Sequence, residues 1–392
     1  MLDIHTVGAG GGSIAWLDEA GMLRVGPQSA GAYPGPACYG PGGEEPTITD
    51  ATLILGLLDK HDFLGGRMEL DQEQARLAIQ HKIAGPLKMT VEEAAYAIYR
   101  IALSRMIDAL YLMTIKKGYD PRTFTLVSVG GALSMFATAL ARGAGIRQVI
   151  VPDSAPVFCA DGLHYARLQV EGVRSVLQTL NEHTPDFTAA LRQSLRVQAD
   201  RELDRLGVDP DQRQYFGSAD LKYTDQHHTL NVCFTGFGVS DGLGDLNGED
   251  AARWQRLVED FHAKHCQLYG YSQPEHELQL VNLRLFAQEA ELGGSLWART
   301  STGEANSAEA NVAQGKLPLA QAEGYRSVFL EGRSPQELPV HDWNHVQRGQ
   351  MIKGPAIIRK PLTTLFLDSH SWGEIDRVGN FRITIEKGGE LR

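Results

Sequence analysis

Asp3-Ile4-His5-Thr6-Val7-Gly8-Ala9-Gly10-Gly11-Gly12-Ser13, followed by Ile14-Ala15-Trp16-Leu17, is the stretch on which the reading of this chain turns. Four of the five positions from Gly8 to Gly12 are glycine, too many for the interior of a helix or strand. Residues without Cβ can take positive φ and bring their N–H groups close to an anion. The apolar run behind the cluster predicts a strand, which would hold the loop in place. A glycine-rich loop by itself is weak evidence of phosphate binding, because a tight turn uses the same residues.

Working outward, residues 13–26 read as a hairpin turning around Asp18-Glu19-Ala20-Gly21. Residues 27–46 hold five prolines among several glycines and predict an irregular loop. Asp50 reads as the N-cap of a helix from Ala51 to Leu58, and a second helix is expected over 70–82. Thr90-Val91-Glu92-Glu93 has capping-box spacing and opens a long helix to Lys117, with Gly118 as its stop. A strand at Phe124–Val129, then Gly130-Gly131, a helix from Leu133 to Arg142 and a strand at Gln148–Pro152 predict a parallel α/β layer.

Beyond residue 170 the expected elements are a helix over 186–206, strands at 214–223 and 228–235, a turn segment at 239–248, a helix over 250–266 and a strand at 277–290. Residues 292–318 read as an exposed, mobile insert, and the last 70 residues as β-rich.

Several ordered motifs carry a family resemblance. They are the opening stretch, Gly26-Pro27-Gln28-Ser29-Ala30-Gly31, Pro34–Gly40, Pro46–Ala51, Phe63-Leu64-Gly65-Gly66, Gly118–Arg122, Gly130-Gly131-Ala132, Val281–Arg284 and Gly354–Ile358. Together they resemble the later part of the hydantoinase A/5-oxoprolinase family, which includes the ATP-binding subunits of acetone and acetophenone carboxylases. The resemblance implies an α/β fold: the C-terminal half of an actin-like ATPase lobe at 1–170, a mixed α/β domain at 171–320 and a β-rich domain at 321–392.

It also implies ATP and Mg²⁺ as cofactors. Gly8, Gly10, Gly11 and Gly12 would cradle phosphate, and Gly130 and Gly131 would meet the nucleoside. Asp3 would stand near the metal, and His5 would assist with phosphate or substrate, the other reading of His5 being a satisfied buried histidine. The implied activity is activation of a cyclic amide carbonyl by phosphorylation for hydrolysis. A carboxylase acting on a ketone is the alternative, and a non-catalytic scaffold or truncated remnant the third. The implied partners are a hydantoinase B-like subunit and a chain carrying the family's first, Asp-x-Gly-Gly-Thr type phosphate segment, which has no counterpart here. Two departures stand out. Tyr33 replaces the usual Asp, and Ala132-Leu133-Ser134-Met135-Phe136 lacks the glycine, proline and histidine of the family continuation.

The formal charge of −11 argues against non-specific nucleic-acid binding. No apolar run has the length of a membrane span and no leader-like start is present, so a cytoplasmic protein is expected. Cys38, Cys159, Cys233 and Cys266 are too scattered for a structural zinc site. Cys38 has no identifiable activating partner, and Cys159 is expected in the core. Thr49 and Asp50 are expected to position a loop. His227 and His228, adjacent on an expected strand, would point to opposite faces. His262 and His265 share a helix face and read as a solvated pair, while Asn282 and Arg284 read as packing or subunit-contact residues.

Overall fold

The computed structural model describes residues 4–181, 184–233, 250–290, 318–330 and 334–386. The chain divides into two compact units, Met1–Gly162 with Thr302–Arg392, and Leu163–Ser301. Among the described residues no helix is long and apolar enough to cross a membrane.

The first unit opens with the expected hairpin, β1 (Ser13–Leu17) against β2 (Leu23–Ser29). The Asp18 carboxylate closes its turn by accepting the Ala20 and Met22 N–H groups. Helix α1 covers Ile48–Ile54 rather than 51–58. Its N-cap is Thr47, and Asp50 is the third helical residue, where its carboxylate reaches back to the Thr47 N–H at 2.8 Å. The expected cap was therefore three residues late: a Thr-x-x-Asp pair forms the same reciprocal box as Thr-x-x-Glu.

Helix α2 (Gln72–Ile79) is capped by Asp71 and runs through a wide turn into the short α3 (Gly85–Leu87). Helix α4 (Val91–Met113) has the expected capping box between Thr90 and Glu93, and the chain leaves its end through Gly118 at φ +77°. Strand β3 (Thr125–Val127), helix α5 (Ala137–Ala144) and strand β4 (Gln148–Val151) form the expected parallel crossover, followed by α6 (Phe158–Leu163). The core between the hairpin, α1, α4 and the start of α5 includes Ile48, Ile98 and Phe136, all fully buried, with Tyr99 stacked on Phe136 at 4.4 Å.

Among the described residues the second unit is a four-stranded antiparallel sheet with two helices. Its elements are β5 (Gln169–Thr179), α7 (Thr184–Arg205), β6 (Arg213–Tyr223), β7 (Leu230–Cys233), α8 (Asp250–Tyr269) and β8 (Leu278–Glu289). Strand order is β5-β8-β6-β7. Leu195 and Leu203 of α7 and Leu257 and Phe261 of α8 bury against Ala219, Leu221 and Leu283 of the sheet. Strand β5 was not anticipated. Its residues from Val170 to Leu177 alternate, but the side facing the core is mostly small or only half-buried, so its apolar period is weak.

The last strands return to the first unit: β9 (Gly324–Phe329), β10 (Pro335–Asp342), β11 (Met351–Lys353), β12 (Ala356–Lys360), β13 (Thr363–Leu367), β14 (Ser371–Ile375) and β15 (Phe381–Ile385). The β-rich composition holds, but these strands do not form a domain of their own. β15 pairs antiparallel with β4, giving the order β11-β14-β15-β4-β3, and β13-β12-β10-β9 form a second sheet. Phe381, Ile383, Val149 and Ala141 share one core, so the β3–β4 layer is completed by residues more than two hundred positions later. The expected turn at 239–248 and nearly all of the expected insert at 292–318 lie outside the described residues.

Candidate functional site

Within the first unit, a cavity of about 190 Å³ is lined by residues from three distant stretches of sequence. Gly11 and Thr49 contribute one side, and Gly131, Ala132 and Met135 another. The loop between α1 and α2 contributes Leu58, Asp59, Asp62, Phe63 and Leu64, and the C-terminal strands contribute Arg326, Arg359, Lys360 and Leu362–Thr364.

The glycine loop is stitched into the fold. The Gly11 carbonyl accepts both the Thr49 N–H and the Thr49 hydroxyl at 2.9 Å, and the Gly12 carbonyl accepts the Ala30 N–H at 2.8 Å. A Cβ on Gly11 would lie 2.7 Å from Thr49 Oγ1, so the close approach itself requires glycine. The Gly10 N–H turns back onto Ser13 Oγ at 2.9 Å, while the Ser13 N–H returns to the Gly10 carbonyl. Gly8 rests on Pro27 and Gly12 on Ser29. Of the four, Gly11 faces the cavity.

At the far wall Gly130 has φ +92° and donates its N–H to the Ala155 carbonyl at 2.7 Å. Thr363 Oγ1 reaches the carbonyls of Gly130 and Gly131, each at 3.3 Å. A Cβ on Gly131 would come within 3.0 Å of the Leu362 carbonyl oxygen. The unusual stretch 132–136 is well packed. Ser134 meets Ser128 at 3.3 Å, the Met135 carbonyl accepts the Tyr99 hydroxyl at 3.1 Å, and Ala132 and Met135 line the cavity.

Charge concentrates on the remaining wall. Arg326 Nη2 lies 2.8 Å from Asp59 and Nη1 donates to the Leu57 carbonyl at 3.3 Å. Burial holds the Arg326 pKa below its ordinary value, with Asp59 and Asp62 offsetting only part of that effect. Arg359 Nη2 is 3.0 Å from Glu323, its Nε 3.6 Å from Asp342 and its Nη1 4.0 Å from Asp62. Glu323, Asp342 and His345 have the donor types of a cation site. The Arg359 guanidinium already supplies positive charge between the two carboxylates, so Glu323 and Asp342 read as its counter-charge. Lys360 pairs with Asp153 and lies over the Trp343 ring.

The other sequence candidates separate clearly. Asp3 lies outside the described residues. His5 is exposed, not a buried histidine, and does not line the cavity. Asp50 is fully buried and accepts the N–H groups of Cys38 at 2.7 Å and Ala37 at 3.3 Å, so it fixes the Pro36–Gly40 turn beside the cavity. Burial, and then the Asp50 charge, push the Cys38 thiol far up, which excludes a thiolate nucleophile. Cys159 is exposed rather than in the core.

His227 and His228 lie in the exposed turn between β6 and β7, not on a strand. His262 and His265 are not a solvated pair. His265 is fully buried with Nδ1 2.7 Å from the Tyr271 carbonyl, and His262 Nδ1 lies 2.8 Å from the Tyr223 hydroxyl. Burial, and then His265, lower the His262 pKa. Asn282 and Arg284 join a network on Asp220 within the second unit.

Sequence reasoning missed Asp59, Asp62, Arg326, Arg359, Lys360 and Thr363. Asp59 and Asp62 precede the Phe63–Gly66 motif and were within reach of it. The C-terminal residues had no local signal, since a basic residue on an alternating strand ordinarily faces solvent.

Residues 1–171 match the sequence model of the Hydantoinase/oxoprolinase family. The chain is 34% identical over 391 residues to the caprolactamase subunit alpha of Pseudomonas jessenii, covering 98% of this chain and 53% of that one. It is 30% identical to the acetophenone carboxylase gamma subunit of Aromatoleum aromaticum, over 97% of this chain and 50% of that one. The crystal structure of the ATP-dependent caprolactamase from Pseudomonas jessenii superposes with a TM-score of 0.77 at 31% identity, covering 98% of this chain and 53% of that chain. The chain thus spans about half the length of these relatives, and its mixed α/β fold has a solved counterpart. On these matches the chain belongs to the hydantoinase/oxoprolinase family.

Proposed function

We propose that the cavity is the nucleotide-facing part of an ATP-dependent enzyme that activates a cyclic amide carbonyl for hydrolysis. The observation that carries this reading is the meeting of Gly11 and Gly131, from two separate glycine segments, on one cavity whose opposite wall holds Arg326, Arg359 and Lys360. A Cβ at either position would press on Thr49 or on the Leu362 carbonyl, so bare backbone borders the cavity at both. In this reading residues 1–170 form the second half of an actin-like ATPase lobe. Gly8, Gly10 and Gly12 would shape the phosphate loop, Gly130 and Gly131 would border the nucleoside, and Asp3 would hold Mg²⁺.

ATP would supply a phosphoryl group to the amide oxygen, leaving ADP, so that the carbonyl carbon becomes the electrophile that water attacks and phosphate departs. The chain's own contribution is to hold the acceptor and phosphates together and to set positive charge where negative charge develops. Arg326 and Arg359 are the described groups placed to do this. A hydantoinase B-like subunit and a polypeptide supplying the rest of the relatives' length are the proposed partners. The match to an acetophenone carboxylase subunit supports a second reading, carboxylation of a ketone.

Native mass spectrometry and calorimetry with Mg-ATP test the proposal. One nucleotide per chain, lost in Gly131→Val, is expected, whereas equal uptake by the variant would overturn the assignment of the cavity. Turnover measured with and without bicarbonate, in the assembled complex, separates hydrolase from carboxylase.

A further inference from the structure

The loop between α1 and α2 carries two carboxylates into the cavity and sets both against guanidinium groups. Its tip bends through three consecutive left-handed residues, Leu64 at φ +54°, Gly65 at +66° and Gly66 at +77°, which aim Phe63 and Leu64 at the same cavity. The two ion pairs are unequal. Asp59 sits at 2.8 Å from Arg326, whereas Asp62 stands 4.0 Å from Arg359 Nη1, beyond hydrogen-bond range. Arg359 is meanwhile held from behind by Glu323 and Asp342. Its better-made contacts are therefore away from the loop, and the end facing the loop is loosely engaged.

A cavity so arranged cannot accept a further negative group without change. Lys360 is matched by Asp153, Arg326 by Asp59 and Arg359 by three carboxylates. An incoming anion would meet Asp59 and Asp62 as like charges in a partly desolvated space. It would also find two guanidinium groups, Arg326 and Arg359, lining the same cavity.

We propose that Asp59 and Asp62 are built-in stand-ins for a ligand oxyanion, phosphoryl or carboxylate, which binds Arg359 and Arg326 by displacing them. The inference rests on the reading of this cavity as the ligand site and adds how the site recognises charge. Asp62 yields first, because its contact is the longer, and the loop shifts with it. A neutral ligand would leave the pairs intact and gain nothing from the arginines.

Calorimetry on the full chain with ADP, inorganic phosphate, bicarbonate, 5-oxoproline and its uncharged analogue 2-pyrrolidinone tests this. Asp62→Asn is expected to tighten binding of the recognised oxyanion by about tenfold, the scale of removing a like-charge contact. Arg359→Gln is expected to weaken it by at least about tenfold. Hydrogen exchange of the 58–66 amides is expected to rise on binding in the unaltered chain, a readout that does not depend on the variants folding.

The anion that shows the Asp62 gain identifies the source, a phosphoryl group or a carboxylate. Unchanged or weaker binding of every anion by Asp62→Asn overturns the inference, as does equal binding of 2-pyrrolidinone and 5-oxoproline when 5-oxoproline is the anion bound. If ADP binds and Asp62→Asn leaves its affinity unchanged, this inference fails and the nucleotide reading stands. If a carboxylate shows the Asp62 gain while ADP does not bind, the inference stands and the nucleotide reading fails.

Discussion

The two units of this chain each contain a cluster of charged and amide side chains, and they resolve the same electrostatic problem differently. In the second unit, Asp220 on β6 accepts Arg284 Nη2 at 2.9 Å, Asn282 at 2.8 Å and Asn231 at 2.8 Å, while Arg284 also pairs with Glu171 at 3.0 Å. Burial pushes the Asp220 carboxyl up, but the hydrogen bonds from Arg284, Asn231 and Asn282 outweigh it and hold the group below the usual carboxylate range. Here every strong donor has an acceptor, and the group occupies the sheet surface itself. In the first unit the charges ring a void, one pair is stretched to 4.0 Å, and two glycines leave no side chains at the rim. Saturated pairing in a filled space reads as structure. Incomplete pairing around an empty space reads as a binding site.

Gly131 is where the difference between the two units is tested most directly. Placing valine there forces atoms against the Leu362 carbonyl, and nucleotide or anion affinity should fall by about a hundredfold or more by calorimetry, with little change in the second unit. Retained affinity would mean that the glycine rim plays no part in binding.

Next in size is Asp220→Ala, expected to destabilise the second unit by about 3 kcal/mol. This is the low end for breaking a buried pair, since Arg284 keeps Glu171. Hydrogen exchange of β6 and β8 reads the loss, and ligand affinity of the first unit should be unchanged. A coupled loss of affinity would erase the distinction between the clusters.

A smaller effect is expected in acid. Because the folded Asp220 pKa is depressed, its stabilising contribution is present above the unfolded carboxyl pKa of about 3.9 and is lost as pH falls through the lower folded value. Asp220→Asn should therefore flatten the acid limb of stability below about pH 4 in the β6 and β8 amides. An unchanged limb would deny that the network favours the ionised carboxylate.

The smallest effect concerns thiols. Cys38, buried and raised in pKa, should resist alkylation in the native chain at neutral pH while Cys159, Cys233 and Cys266 react. Peptide mass mapping checks this, and ready labelling of Cys38 would mean the Asp50-bound turn opens in solution.

Much of the fold was legible locally. Thr90 with Glu93 announced α4, Gly118 marked the turn after it, and the β3–α5–β4 crossover followed from strand, glycine and helix in series. These signals are short-range: a cap, a left-handed stop and an apolar period act within a few residues of one another. The capping error at Asp50 has the same local origin, since Thr47 and Asp50 are both acceptable caps and only the hydrogen bonds separate them. Strand β5 escaped notice because its apolar alternation is weak.

By itself the sequence determined that two glycine segments exist, that both stand beside regular elements, and that their order resembles one family. It could not decide that Gly11 and Gly131 border one cavity, or that β15 completes the sheet begun by β3 and β4. Nor could it assign Arg326 and Arg359 to the same cavity as Asp59 and Asp62. Those facts depend on contacts between residues hundreds of positions apart, whose energies come from burial and charge pairing in three dimensions rather than from any local pattern. Glycine announces its freedom wherever it stands, but an arginine on a strand becomes part of a site only when the packing places a carboxylate and a void in front of it.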